Sequence, residues 1–502
     1  MPSESEPIWQ RHAPVFPRLE PLSPARTMAD VVVIGAGIAG LSVALTLIEE
    51  GRSVLVLEKR AIGAGQTERT SAHLACALDD RFHQIERWHG EAGARAAAAS
   101  HRGAIDRIER WIAEYAIDCD FARVDGYLFG AGESADDELA RELDAALRAG
   151  LDVEPAVVPG LPQLGPALRF ARQARFDPLA YLAGLADAAL RRGVRFAQAN
   201  VVAVEGGASP HVTTEGGQCI DAAAIVVATN VPFHESLAIH TKQAAYRTFV
   251  LSAPIDAAAF PDILLWDTAD PYHYLRRVDA RDGSTWLMVG GCDHKTGQPS
   301  AEAPYAELGA WARERIAGLG DIEWRWSGQV IEPVDGLAFI GRDPGGEDNV
   351  YVVTSDSGNG LTHGTLAGGV IAALIAGRDD PWNGLYDPRR SPMHALGTWL
   401  SENANVAVQY GDWLARGGIR PLANDDATIV RSGVHRIAVY RGTDGALRAF
   451  SAQCPHLGCS VRWNTIERTW DCSCHGSRFD PVDGRVLNGP AAHPLTRIGG
   501  AR

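Results

Sequence analysis

No stretch of this chain is apolar for long enough to cross a bilayer. The longest candidate, "LAGGVIAALIAG" from Leu366 to Gly377, falls well short of the roughly 20 residues a spanning helix needs. The N-terminal "MPSESEPIWQRHAPVFPRLEPLSPAR" has neither the apolar core of a secretory signal nor a twin-arginine pair. These absences predict a cytoplasmic protein. An excess of basic residues is missing too: the formal net charge of −15 argues against a nucleic-acid binder. There is no internal repeat and no low-complexity tract. Cysteine is sparse through the first three hundred residues, where Cys76, Cys119, Cys219 and Cys292 stand alone. At 502 residues the chain is too long for one compact core, and its length predicts about two to four domains.

What is present begins with "DVVVIGAGIAG" and "LSVALTLIEEG", then "SVLVLEK". A buried strand, a glycine turn, a helix and a second strand make a βαβ start. Gly35, Gly37 and Gly40 form G-x-G-x-x-G at that turn. The first glycine permits the turn, the second lets a pyrophosphate approach the backbone, and the third lets helix and strand pack closely. The phosphates then sit at the positive end of the helix. Glu58 ends the second strand, close to the spacing at which an acid binds ribose hydroxyls, and it disfavours a 2′-phosphate.

Three further stretches choose the dinucleotide. "AIGAGQTERTSAH", "AAAIVVATNVPF" and "DGLAFIGRD…NVYVVTSDSGNGLTHGTLAGG" resemble the flavin-side loop, the closing strand and the C-terminal flavin motif of the D-amino-acid-oxidase-like family. The resemblance implies FAD, with Glu58, Lys59, Thr70, Ser71, His73, Thr229, Asn230, Gly358, Gly360, Leu361 and Thr362 joining the glycine turn as its binding residues. Gly358, Gly360 and Gly364 allow close backbone approach to the flavin, and the helix after them points its N-terminus at the ring. His73 can touch the flavin, or hold it covalently. No second strand-GxGxxG-helix unit with a trailing acid provides a nicotinamide site.

Near the C-terminus, "CPHLGC" and "CSCHGS" crowd four cysteines and two histidines together. In a chain read as cytoplasmic, such packing points to a metal. Cys454-x-His456 with Cys472-x-x-His475 is the pattern of a Rieske [2Fe–2S] cluster, one iron held by two thiolates and the other by two imidazoles. Cys-x-His is a poor zinc spacing, since structural zinc sites favour two to four intervening residues. The Asp-x-x-His-x-x-x-x-His run of an aromatic-ring-hydroxylating oxygenase, which needs a mononuclear iron, is missing. Cys459 and Cys474 remain. The two runs resemble the Rieske proteins of respiratory and photosynthetic electron-transfer complexes, and the resemblance implies a Cys459–Cys474 disulfide clasping the loops. "NGPAAHPL" is similar to the proline-containing loop that shields the cluster. Ser477 matches a serine that bonds a cluster sulfur. Phe479 replaces the tyrosine of high-potential forms, so the potential is expected below the top of the range.

The middle of the chain reads as longer antiparallel strands. Tyr272, His273, His294 and Arg247 are the catalytic candidates there, and Tyr274, Asp293, Trp326 and Gln329 in the same stretches are further candidates for the pocket over the flavin. Arg247, Arg276 and Arg277 are candidates to hold a substrate carboxylate. The expected fold class is α/β plus all-β. A Rossmann-like FAD-binding domain carries an antiparallel substrate domain, followed by a small Rieske β-sandwich. The oxidoreductase unit is placed at 29–380, with FAD-binding parts 29–80, 150–235 and 335–380 and substrate parts 81–149 and 236–334. A linker at 381–404 precedes the Rieske domain at 405–502. The whole resembles bacterial fusions of a D-amino-acid-oxidase-like flavoprotein with a Rieske domain. That implies an amine or amino-acid-like substrate reducing FAD, with electrons leaving singly through the cluster to an external partner docked around His456 and His475. Two other readings stand beside it. In one, the Rieske domain feeds electrons to FAD in a reductase or monooxygenase. In the other, the chain is a non-enzymatic redox sensor or electron-transfer protein.

Overall fold

A computed structural model describes residues 5–22, 27–234, 237–298, 303–345, 348–410, 421–433 and 435–498. Its first layer is a sheet built on the βαβ start. Strand Thr27–Ile34 lies between Val54–Glu58 and Cys219–Val227, all parallel, with Val350–Thr354 beyond. Val31, Val32 and Val33 have no exposed surface. Unbroken apolar runs of this kind are what a parallel sheet covered on both faces requires. Helix Ile38–Glu49 covers one face and packs along helix Gly360–Ile375. A Cβ at Gly364 would lie 3.1 Å from the Ala39 nitrogen, so the absence of a side chain there sets how closely these helices meet.

The second large sheet is mostly antiparallel. Its long strands Gln243–Pro254, Thr285–Lys295 and Trp324–Pro333 lie side by side. Strand Ala122–Phe129 also belongs to it, in a region whose sequence reads as mainly helical. Strand Pro166–Arg175 pairs with it, so the start of the stretch expected in the FAD-binding part contributes to the second sheet. The last unit is all β, with a three-stranded sheet over Asp426–Ser451 and a four-stranded one over Val461–Asn488. The α/β plus all-β class is as expected. The stretch expected as a linker carries the short helix Asn383–Tyr386. The expected boundary at 404 falls inside a helix running from Leu396 to Tyr410. Among the described residues no helix is long and apolar enough to cross a membrane.

Candidate functional site

A cavity of about 750 Å³ runs where the two large sheets meet the C-terminal β unit. Its walls include Gly35, Gly37, Glu58, Lys59, Thr70, Ser71, His73, Thr229, Asn230, Gly358, Gly360 and Leu361. Residues distant in sequence are gathered because the βαβ turn, the loop after the second strand and the turn before helix Gly360–Ile375 all follow the C-terminal ends of parallel strands, at Ile34, Glu58 and Thr354. Gly35 has φ of 106°, and a Cβ there would sit 2.5 Å from the Ala228 carbonyl oxygen. Gly40 does not line the cavity. A Cβ on it would strike the Gly35 carbonyl at 2.0 Å, so it acts in helix–strand packing, as the motif requires. The Glu58 carboxylate is oriented by two amides: Oε2 accepts from Ala36 N–H at 3.0 Å and Oε1 from Arg60 N–H at 2.9 Å. Thr67 Oγ1 accepts the Ile38 amide at 3.1 Å, capping the helix start. This cradle fits a dinucleotide.

His73 is held at both ring nitrogens, Nδ1 by Ser71 Oγ at 2.9 Å and Nε2 by the Leu275 carbonyl at 3.2 Å. Burial and the nearby Arg276 charge push its pKa down to about 3, so it stands neutral in the wall. Thr362 departs from expectation. Its hydroxyl faces His101 Nδ1 at 2.8 Å, inside the contact between helices Phe82–Tyr115 and Gly360–Ile375, because it lies on the side of its helix turned from the cavity.

Of the four catalytic candidates only Tyr272 reaches the cavity, where its hydroxyl donates to Asp79 Oδ2 at 2.7 Å. His273 is turned away. Its Nδ1 meets Asp267 Oδ2 at 2.8 Å, and its ring stacks on Trp311 with centroids 4.0 Å apart. His294 stacks on Phe249 and does not line the cavity. Arg247 is fully buried beneath the Rieske unit, bonded to Ser327 and 3.3 Å from Glu467. Strand alternation explains these outcomes: Asp293 and His294 point to opposite faces of one strand, and only Asp293 faces the cavity. Arg276 and Arg277 do not line the cavity either. Arg276 donates to the carbonyls of Ala72 and Phe176, and Arg277 pairs with Asp279. Trp326 is buried, its Nε1 donating to the Arg69 carbonyl at 2.9 Å. Asp79, Asp356, Thr248 and Gln66, none of them a candidate by sequence, also line the cavity. Asp79 directly precedes Asp80 and Arg81, and such a charged run reads as a solvated turn.

At the other end the two Cys/His loops face one another. Cys454 and Cys472 are both buried free thiols, one on each loop, and the His456 and His475 rings lie 5.0 Å apart between centroids. Cys459 and Cys474 form the disulfide that the resemblance implied. Ser477 Oγ accepts the Ala491 amide at 3.0 Å and reaches the Cys454 thiol, tying the proline-containing loop to the ligand set. Two thiolates and two imidazoles on adjacent loops fit a [2Fe–2S] cluster with mixed ligands. The two histidines are not a free docking face: His240 of the larger, N-terminal unit packs on them, with centroids 4.6 Å from His456 and 5.6 Å from His475. Residues 485–489 and Ala491, Ala492 and Pro494 of the Rieske unit form part of the wall of the dinucleotide cavity. Gln329 spans the gap. Its Oε1 accepts from Asn230 Nδ2 at 3.2 Å, and its Nε2 donates to the Gly476 carbonyl, next to His475, at 3.0 Å.

The fold and the two sites define a flavoprotein joined to an iron–sulfur module. Residues 30–374 match the family described as FAD dependent oxidoreductase, and residues 412–498 match the Rieske [2Fe-2S] domain. The chain belongs to the FAD-dependent oxidoreductase family, with a C-terminal Rieske domain, and its cofactors are FAD and a [2Fe–2S] cluster. The "Putative Rieske 2Fe-2S iron-sulfur protein YhfW" of Bacillus subtilis (strain 168) is 30% identical over 508 aligned positions, covering 98% of this chain and 97% of that one. The cytochrome b6-f complex iron-sulfur subunit of Synechococcus elongatus is 32% identical over 28% of this chain and 73% of its own. Among solved structures, glycine oxidase from Geobacillus kaustophilus superposes with a TM-score of 0.62 at 17% identity, covering 73% of this chain and 99% of its own. L-proline dehydrogenase from P. horikoshii gives 0.60 at 19%, covering 73% and 98%.

Proposed function

We propose that the chain oxidises an amine-bearing small molecule at FAD and passes the electrons through the Rieske cluster to an external one-electron acceptor. One observation carries this reading: the Rieske loop over Asn488–Pro494 walls the flavin cavity, and Gln329 is hydrogen-bonded to Asn230 on one side and to the cluster loop at Gly476 on the other. When bound, FAD takes up a hydride's two electrons and a Rieske cluster carries one at a time, so joining them turns pair chemistry into single-electron flow.

The protein's own residues supply position and enclosure. Glu58 and the Gly35–Gly37 turn hold the dinucleotide, with Thr70, Ser71, Thr229, Asn230, Gly358, Gly360 and Leu361 along its length. Cys454, His456, Cys472 and His475 hold the cluster. The proline-containing loop closes the cavity toward the Rieske unit and limits water there. His240 covers the imidazoles, which leaves the outer edge of the first loop, at exposed Pro455 and Leu457, for exchange with a partner. Glycine oxidase and L-proline dehydrogenase, which share the fold, are named for substrates that carry an amino group, and this supports amine oxidation as the direction of flow.

The test is anaerobic mixing of the holoprotein with a panel of amines and amino acids, following flavin absorbance and cluster EPR together. Bleaching of the flavin followed by the reduced-cluster signal is the expected result. A bleached flavin beside a cluster that stays oxidised would sink intramolecular transfer. A cluster potential below that of the flavin would reverse the direction of flow.

A further inference from the structure

The end of the cavity beside Gly358 is walled by carboxylates and aromatic rings. Asp79, Asp293 and Asp356 line it with Trp266, Tyr272 and Tyr274. Asp79 Oδ2 accepts the Tyr272 hydroxyl at 2.7 Å, and a Cβ on Gly358 would lie only 1.8 Å from that same oxygen. This places the carboxylate against the turn that approaches the flavin. The rings of Tyr272 and Tyr274 are 5.7 Å apart. Tyr274 is braced through its hydroxyl by Thr248 at 2.8 Å. Asp293 also leans on Thr248, and its Oδ1 is enclosed with no hydrogen-bond partner.

Among the described residues, the cations lining this cavity are Lys59, Arg60, Arg69 and Arg485. Lys59 and Arg60 follow Glu58 at the dinucleotide end. Arg69 donates to Ser5 and to the Ser327 carbonyl, and Arg485 pairs with Asp480. Arg81 donates to the Asp267 carbonyl and lies 6.0 Å from the Tyr272 ring centroid, but it is not part of the wall. Arg247, Arg276 and Arg277 are tied up as described above. An amino-acid substrate would therefore bring its carboxylate against three half-buried carboxylates, with the Arg69 guanidinium turned to Ser5 and Ser327, and like charges at a partly enclosed site repel. A cation meets the opposite situation. Carboxylates supply charge-assisted contacts, and the faces of tryptophan and tyrosine attract ammonium groups. Burial holds the Asp79 carboxyl up at about 6 and that of Asp293 at about 7, a shift that an arriving cation opposes.

We propose that this end of the cavity binds a small alkylammonium ion bearing no carboxylate, held by Asp79 and Asp293 against Trp266, Tyr272 and Tyr274. The proposal rests on the reading above that this cavity is the amine-oxidising site, and it narrows that site to cationic amines. The test uses the full chain loaded with FAD and cluster, titrated with tetramethylammonium chloride, with sodium benzoate as the carboxylate probe and sodium chloride as the ionic-strength control. Flavin absorbance and calorimetry report binding without turnover. A saturable response to tetramethylammonium and none to benzoate is expected. Asp293→Asn is expected to weaken the cation by about tenfold or more. Saturable benzoate binding with no cation response overturns the proposal, and so does silence from both. The comparison of probes on the unaltered protein decides the matter even if the variant does not fold. A separate arm, photoreducing the flavin and reading the cluster by EPR, tests electron transfer alone, so a failure there is distinguishable from a failure of the cation site.

Discussion

Replacing Glu467 by glutamine should release the Rieske unit from the flavoprotein surface while leaving each folded. The Glu467 side chain is 4% exposed and that of Arg247 is fully buried. Glu467 Oε2 lies 3.3 Å from Arg247 Nη2 on the flavoprotein strand and 3.3 Å from Arg478 Nη2 within the Rieske unit. Burial alone would raise the glutamate's pKa; the guanidiniums of Arg247, Arg478 and Arg69 overcome this and hold it below the usual range. Arg247 is poorly satisfied even so, since its Nε and Nη1 have no hydrogen-bond partner. In Glu467→Gln the docked state keeps Arg247 buried without its counter-charge, whereas undocking lets it reach water. Arg478 retains Asp471 at 3.1 Å in either state. Removing one member of a buried pair costs about 3–5 kcal/mol, which is roughly a hundredfold to several thousandfold in the docking equilibrium. Small-angle scattering should report a larger radius of gyration. Stopped-flow absorbance should show slowed cluster reduction by the flavin, with an unchanged cluster EPR spectrum. The double variant Arg247→Met/Glu467→Gln removes the stranded charge and should recover much of the docking. Unchanged scattering and transfer rate in the single variant would refute the reasoning.

Other consequences can be checked in the same way. Gln329→Leu breaks the hydrogen-bonded link from Asn230 to Gly476 and leaves both groups unpaired, at about 1–3 kcal/mol each; flavin-to-cluster transfer should slow in stopped flow, with both absorbance spectra intact. The paired change Cys459→Ala/Cys474→Ala opens a cross-link 15 residues apart in sequence and should cost about 3 kcal/mol by chain entropy, seen as earlier thermal loss of cluster absorbance. Asp79 and Asp293, raised from an ordinary value of 3.8 to about 6 and about 7, bind more protons folded than unfolded between those limits. Their contribution to stability therefore falls as pH rises through that window. Differential scanning fluorimetry should show this decline, and tetramethylammonium, which favours the ionised acids, should reduce it.

The chemistry-bearing motifs were legible in the sequence because each is local. A glycine triplet between strand and helix, or Cys-x-His facing Cys-x-x-His, encodes its ligand within a few residues, and the structure assembles both. The side-chain direction of Thr362 was not legible, because neighbours on a helix face different directions. Gly358, Gly360 and Leu361 reach the cavity, while Thr362 lies one step further round, against His101. In the antiparallel sheet the difficulty was greater. Asp293 and His294 differ by one position and occupy opposite faces, and no local pattern tells which face will meet the flavin.

That a dinucleotide and a two-iron cluster share this chain follows from its residues alone, since short segments carry the donors and the backbone freedom those groups require. How the two groups are placed relative to one another comes from the packing of the whole chain. Arg247, a sound candidate for a substrate clamp by residue type, pairs with Glu467, 220 positions away. The cluster histidines turn inward to His240, and a carboxylate from a charged turn, Asp79, joins the wall beside the flavin turn. Such partners are chosen by burial: a charge taken out of water must find its counterpart wherever the packed chain puts one.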